Sequence, residues 1–324
     1  MIVDDIEIIP IAAESMGVRS LCTFIRTPDI SILLDPSAAL ARRFGLEPHP
    51  LEYKALQYSL SEIRAKAQEA DILSLSHYHY DHVRPGFRNC LYNLSTHDER
   101  KEMFAGKYVL AKDNRENINN SQRRRAYFFQ KEVKSICKKI DWCDGKHYEF
   151  GSTRIQYSPP LPHGSEGSPL GFVLATTIEF GNSKILFAPD VQGPIARSTL
   201  NYILTAEPDL VVVGGPPTYL KQFSEKESQS ALYCLSNLVS VIPILVVDHH
   251  NLRDPSWKEW LSPITNIAIQ SDNVVCSMAE LIKRDELCLE ANRNELYKNN
   301  PPTQEFTEWT NTSDEYKIEN LPPI

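Results

Sequence analysis

Alternating and continuous apolar positions divide the chain into elements. Ile6-Glu7-Ile8-Ile9-Pro10, Ser20-Leu21-Cys22-Thr23-Phe24-Ile25 and Ile30-Ser31-Ile32-Leu33-Leu34 read as three strands of an opening antiparallel meander. Leu56, Leu60, Ile63 and Ala67 recur every three to four residues, which predicts a helix over 51–69 with one buried face. The run 71–75 predicts a buried strand and 107–110 a short one, followed by a helix over 122–139. Two runs, 147–150 and 153–157, read as a hairpin turning at Gly151-Ser152. Further strands are expected at 171–175, 184–191, 210–213 and 242–247, with a helix over 225–238. Residues 255–297 read as helical, with Met278, Leu281, Ile282 and Leu287 as apolar positions, and 298–324 read as a loose polar tail that Phe306, Trp309 and Tyr316 could anchor.

Composition narrows the class. Of 324 residues 42% are hydrophobic and 23% charged, the balance of a globular chain, and no apolar run approaches the roughly 20 residues needed to cross a bilayer. The start, Met1-Ile2-Val3-Asp4-Asp5, lacks a basic, apolar leader, so a cytoplasmic protein without a membrane partner is expected. One domain over 1–297 is expected. Seven scattered cysteines without a Cys-X-X-Cys pair argue against a disulfide framework or a cysteine zinc site. The net charge of -8 argues against a uniformly nucleic-acid-binding surface, yet residues 99–139 carry 12 Lys/Arg against 5 Asp/Glu. Arg123-Arg124-Arg125 followed by Tyr127-Phe128-Phe129 suits a polyanion; it equally suits an ordinary helix with an aromatic buried face and a solvated basic one.

The chemistry concentrates in Ser76-His77-Tyr78-His79-Tyr80-Asp81-His82, directly after the 71–75 strand. Alternate residues of an extended segment point the same way, so His77 and His79 can present ring nitrogens to one cation while Asp81 and His82, at a turn, reach a second. A polar strand end facing solvent would leave three clustered histidines unexplained.

This pattern, His-X-His-X-Asp-His after an apolar strand, resembles the metallo-β-lactamase superfamily. Asp35-Pro36, Arg43-Phe44-Gly45-Leu46 and Pro48-His49-Pro50 are similar to a mainly archaeal branch of it, a group of predicted metal-dependent hydrolases. The resemblance implies an α/β fold, an αββα sandwich of two mixed β-sheets flanked by helices, in which 89–144 is a basic insertion. It makes Asp35 an acid that orients a metal ligand; alone, Asp35 would also suit the cap of a helix starting at Pro36. His163, on the loop Pro159-Pro160-Leu161-Pro162-His163-Gly164, becomes a lone third-motif histidine, and Asp190 an acid bridging two cations. The late histidine is His249 or His250, and the sequence leaves the choice open. Arg84 is expected beside the metals, where it could hold an anionic substrate. His49 reads as a loop histidine outside the ligand set.

The resemblance thus implies two divalent ions, zinc above all, with His77, His79 and His163 on one, Asp81, His82 and His249 or His250 on the other, and Asp190 on both. The expected nucleophile is a metal-bound hydroxide that Asp81 orients, with whichever of His249 and His250 binds no metal donating a proton or orienting substrate. The redox branch usually has Glu where His79 stands, so hydrolysis is expected. The basic segment favours a phosphoester, with an anionic small molecule or nucleic acid as partner. A small-molecule ester, lactone or thioester hydrolase is the second reading, and a non-catalytic metal- or nucleotide-binding protein the third. Oligomeric state is left open.

Overall fold

Period-two alternation sends successive side chains of each strand to opposite faces of a sheet, and here both faces of both sheets are covered. In a computed structural model describing residues 1–324, β1 (Ile2–Val3), β2 (Ile6–Ala13), β3 (Leu21–Arg26) and β4 (Ser31–Leu34) form the antiparallel part of a seven-stranded sheet. Helix α1 (Pro50–Glu69) leads into β5 (Ile72–Leu75), α2 (Glu99–Phe104) into β6 (Tyr108–Ala111), and α3 (Asn120–Val133) into β7 (Lys139–Trp142). β4 to β7 are parallel. The segment 89–144, expected as an insertion, therefore supplies two strands of the sheet, and its basic helix ends at Val133, earlier than the sequence suggested, because 134–138 turn into β7.

The second sheet begins with the hairpin β8 (His147–Phe150) and β9 (Thr153–Tyr157). A small separate ladder, β10 (Leu161–Pro162) with β11 (Phe172–Val173), precedes β12 (Thr176–Phe180) and β13 (Ser183–Ala188). Then come α4 (Arg197–Ala206), β14 (Leu210–Gly214), α5 (Glu225–Val241), β15 (Ile244–Asp248), α6 (Trp257–Gln270), β16 (Val274–Cys276) and α7 (Met278–Leu281). The strand order is β16-β15-β14-β13-β12-β9-β8, and β13 to β16 are parallel. The expected all-helical 255–297 is thus interrupted by an edge strand, too short for its alternation to show in sequence.

Three layers of apolar side chains hold these elements. Ile32, Leu34 and Ile72 of the first sheet meet Ile185, Phe187 and Val212 of the second between the sheets. The alternate residues Leu33, Leu73 and Leu75 face Leu56, Leu60 and Ile63 of α1 and Phe129 of α3. Leu186, Val211 and Leu245 face Ile203 of α4, Leu235 of α5 and Ile264 of α6. Each such side chain contributes about 1.5–3 kcal/mol on burial. The architecture is the αββα sandwich the resemblance implied.

α1 starts where Pro50 removes a donor that would be orphaned anyway, and His49 caps it: its Nδ1 accepts from Leu51 N (3.2 Å), and Glu52 accepts from His49 N (2.7 Å). The remaining ring nitrogen lies 2.8 Å from Asn300 O, so His49 is a structural residue. The residues after 297 differ from the loose tail expected. They form α8 (Arg293–Asn299), α9 (Gln304–Thr310) and α10 (Asp314–Glu319). Phe306 and Trp309 are buried with their rings 6.1 and 5.9 Å from that of Tyr53, and Lys317 is paired with Glu47 at 2.7 Å.

Candidate metal centre

The C-terminal ends of β4, β5, β13 and β15 converge on one edge of the sandwich. Asp35 follows β4, the 76–82 loop follows β5, Asp190 follows β13 and His249 follows β15; His163 comes from the end of β10. Asp35, Asp190 and His249 hold left-handed backbone, with φ of 48°, 48° and 71°. A left-handed non-glycine residue costs free energy that surrounding structure must offset, and such residues gather at functional sites. The offset at His249 is visible: Asp248 Oδ1 accepts from His249 N (2.6 Å) and Ser15 N (3.2 Å), and Oδ2 from Met278 N (2.9 Å). No helix follows Pro36, so Asp35 turns inward instead of capping one.

Asp190 stands at the centre, and its two oxygens face different groups. Oδ2 lies 3.0 Å from His77 Nε2, 3.6 Å from His79 Nδ1 and 3.4 Å from His163 Nε2. Oδ1 lies 2.9 Å from His249 Nε2, 3.5 Å from His82 Nε2 and 4.0 Å from His250 Nε2. Asp81 Oδ2 closes the second group at 3.9 Å from His82 Nε2 and 3.7 Å from His249 Nε2. The structure therefore brings together His77, His79, Asp81, His82, His163, Asp190, His249 and His250. Of the adjacent late pair, His249 is the nearer to Asp190 and is fully buried, whereas His250 stands farther out beside His163.

Hydrogen bonds on the far side fix two rings. Ser76 Oγ donates to Asp35 Oδ2 (2.6 Å), so it accepts from His77 Nδ1–H (2.9 Å), leaving His77 Nε2 as a lone pair turned to the cluster. His82 Nδ1–H donates to the same Asp35 oxygen at 2.9 Å, freeing its Nε2 likewise. His77 Nε2 and Asp190 Oδ1 are buried without a hydrogen-bond partner, which is costly unless a cation satisfies them. The cluster has the donor set and spacing to hold metal ions.

Charge tells the same story. Burial, then the neighbouring His82, lowers His77 to about 4, and burial lowers His163 to about 3. Burial acts the same way on His249, but the Asp190 carboxylate outweighs it and raises that ring to about 9. His82 is also raised against the effect of burial, by Asp190 and Asp81. Asp190 is held well below the usual carboxylate range although burial opposes this, with His82 and His249 the main causes. The carboxylates thus create a demand for positive charge that two rings meet by holding protons and that a cation would meet in their place.

Arg84 is corrected. Its side chain is fully buried, and its two terminal nitrogens donate to Asn93 O (2.7 Å), Leu94 O (2.9 Å) and Glu99 Oε2 (2.7 Å) rather than to any group of the cluster. The guanidinium beside the histidines belongs to Arg253, whose Nη2 lies 3.4 Å from both ring nitrogens of His249 and 3.8 Å from Asp81 Oδ2. Asp254 only caps a turn, accepting from Ser256 N at 3.0 Å. Arg253 pairs with Glu14 and donates to Tyr219 OH at 3.2 Å. Glu14 Oε2 reaches to 3.8 Å from His249 Nδ1 and has no hydrogen-bond partner. The sequence reading missed Glu14; its signal was a lone acid closing the apolar run of β2, as Asp35 closes β4.

A sandwich of this kind with a histidine–aspartate cluster at one edge defines a protein of the metallo-β-lactamase fold. No family model matches the chain. Among solved structures, a mutant of the CmlA β-hydroxylase superposes with a TM-score of 0.50 at 14% identity, covering 86% of this chain and 53% of that one, so the chain spans about half its length. A metal-dependent hydrolase of the β-lactamase superfamily superposes at 0.46 and 11% identity, over 83% of this chain and 94% of that one. In sequence, the UPF0282 protein of Thermococcus sibiricus is 39% identical over 297 residues, covering 90% of this chain and 94% of that protein. That of Methanopyrus kandleri is 40% identical over 292 residues, covering 89% and 98%. The chain belongs to the UPF0282 family. No helix is long and apolar enough to cross a membrane.

Proposed function

We propose that this protein is a metal-dependent hydrolase that holds two divalent ions and cleaves phosphoesters. The observation that carries the reading is the division at Asp190, one oxygen toward His77, His79 and His163 and the other toward His82 and His249. His77, His79 and His163 would hold one ion, Asp81, His82 and His249 the other, and Asp190 both. Imidazole-rich ligation suits zinc. Such ions lower the pKa of water to near neutrality and stabilise the charge that develops on the substrate.

The chain's own residues supply order. Asp35 and Ser76 lock the rings of His82 and His77, so those nitrogens need no reorientation during reaction. Asp81, the more exposed of the two cluster carboxylates, is placed to accept a hydrogen bond from the attacking water and hold it in line. His250, on the rim at 4.0 Å from Asp190 Oδ1, is placed to meet a substrate oxygen.

Support for a phosphoester comes from the charge around the opening: Arg125 donates to Tyr78 O at 3.2 Å, so the basic helix α3 is fastened to the histidine loop. The uncharged-ester reading has less behind it. An apolar cavity of about 340 Å3 lined by Met16, Leu51, Ala55 and Leu289 includes none of the clustered side chains in its wall. The test is elemental analysis of protein purified without added metal, beside His79→Ala and Asp190→Ala, followed by bis(p-nitrophenyl) phosphate turnover. About two ions per chain, falling in both variants, with metal-dependent turnover, is the expected result. Metal content untouched by both changes would refute the reading.

A further inference from the structure

α3 carries three consecutive aromatics, and an ordinary amphipathic helix would bury them. It buries one. Phe129 packs inside, its ring 5.0 Å from that of Phe104, while Tyr127 is 57% and Phe128 45% exposed, their rings 5.4 Å apart and edge to face. They share the outward stripe with Arg123, Arg124, Lys131 and, just past the helix end, Lys134, all exposed. The helix has one carboxylate, Glu132, and that turns aside to Arg100 at 2.5 Å. The stripe therefore combines uncompensated cations with two aromatic faces in water, at a cost in solubility that a helix with no partner for them would avoid.

The stripe is built against the metal-centre loop. Gln122 accepts from Tyr78 N (3.1 Å) and donates to Leu170 O (2.9 Å), and the Arg125 guanidinium lies 4.6 Å from the centre of the Tyr80 ring. Tyr80 lies between His79 and Asp81, whose side chains are 26% and 19% exposed. The fourteen residues of α3 span about 21 Å, and those after Arg125 lead about 12 Å on from that contact.

From this juxtaposition we infer that the outward face of α3 is a docking surface for single-stranded nucleic acid, which it feeds to the metal centre. The inference rests on the phosphoesterase reading for its purpose, although binding is measured apart from it. Bases stack on Tyr127 and Phe128, and the cations follow the phosphates. A duplex hides its base faces, so the aromatics give it nothing.

The experiment is fluorescence anisotropy with a labelled single strand of about twelve uridines, its deoxythymidine counterpart and a duplex of equal length. The probe is titrated with the full chain and with the Tyr127→Ala/Phe128→Ala and Arg124→Glu variants. Circular dichroism melting of each variant shows whether it is folded. The expected result is a single-strand preference over duplex, with affinity for the single strand falling at least about tenfold in the aromatic double variant and also falling in Arg124→Glu. Preference for RNA over DNA, or none, identifies which strand is taken. Wild-type affinity in both folded variants, or duplex bound as tightly as single strand, would overturn the inference. Failure of the hydrolase reading looks different: it is the absence of metal-dependent turnover of bis(p-nitrophenyl) phosphate, whatever binds to α3.

Discussion

His249 Nε2 lies 2.9 Å from Asp190 Oδ1 although the two residues leave strands that are not neighbours, with β14 running between β13 and β15. The side chains can meet across the end of β14 because that strand ends in Gly214. A Cβ built there would stand 2.6 Å from Asp190 N, against backbone that cannot swing aside. Gly214→Ala should displace Asp190, lowering bound metal and destabilising the fold by about 1–3 kcal/mol. Metal analysis and denaturant unfolding together check this, and a variant with wild-type metal content would show that the strand end has slack.

Glu14 stands behind His249 as Asp35 stands behind His82, at a longer distance and shared with Arg253. Glu14→Gln should weaken the second ion about tenfold to a hundredfold while the ion held by His77, His79 and His163 stays. Competition with a chelator, read as two separable steps, gives the answer. Equal weakening of both steps would mean that Glu14 shapes the whole edge.

Arg84 is predicted to matter for stability alone. Arg84→Met leaves the buried Glu99 carboxylate with only Arg64, at 2.7 Å, and leaves two carbonyls unpaired, a loss of about 3 kcal/mol. KM for a phosphoester should not change. A raised KM with unaltered melting would restore Arg84 to substrate binding.

Acid should act through Glu290. Burial favours its neutral form, but Arg19, with two bonds of 2.6 Å, and Arg253 bring the carboxyl down to about 2. A group depressed in the folded state contributes fully above its unfolded value, about 4.3, and the contribution is lost as pH falls from there through about 2. Glu290→Gln should be less stable than the wild type at pH 7, and the difference should shrink below pH 4. A difference constant across that range would mean that the ion pair contributes nothing.

Except for His163, the clustered side chains were legible because they follow apolar strands, and a strand end fixes both position and direction. His163 and Asp190 gained meaning only from their order after His82. Arg84 was misread because lying two residues from His82 says nothing about which way a side chain turns, and Glu99 and two carbonyls turned it inward. Glu14 was invisible for the opposite reason, since its partner Arg253 is 239 residues away. β7 and β16 escaped because four and three half-exposed residues carry no readable period. On α3 the triplet Tyr127-Phe128-Phe129 promised a buried face, and helical geometry allowed only one of the three to point there.

The ligand set straddles the sandwich. Asp35 and the four side chains of the 76–82 loop follow strands of the first sheet, Asp190 and His249 follow strands of the second, and His163 follows the separate β10–β11 ladder. Neither half, folded alone, would own a complete coordination sphere. Ions held as proposed would therefore rivet the two sheets together at this edge. On that reading, stripping the metal would loosen the sandwich from one edge, at the seam between its sheets.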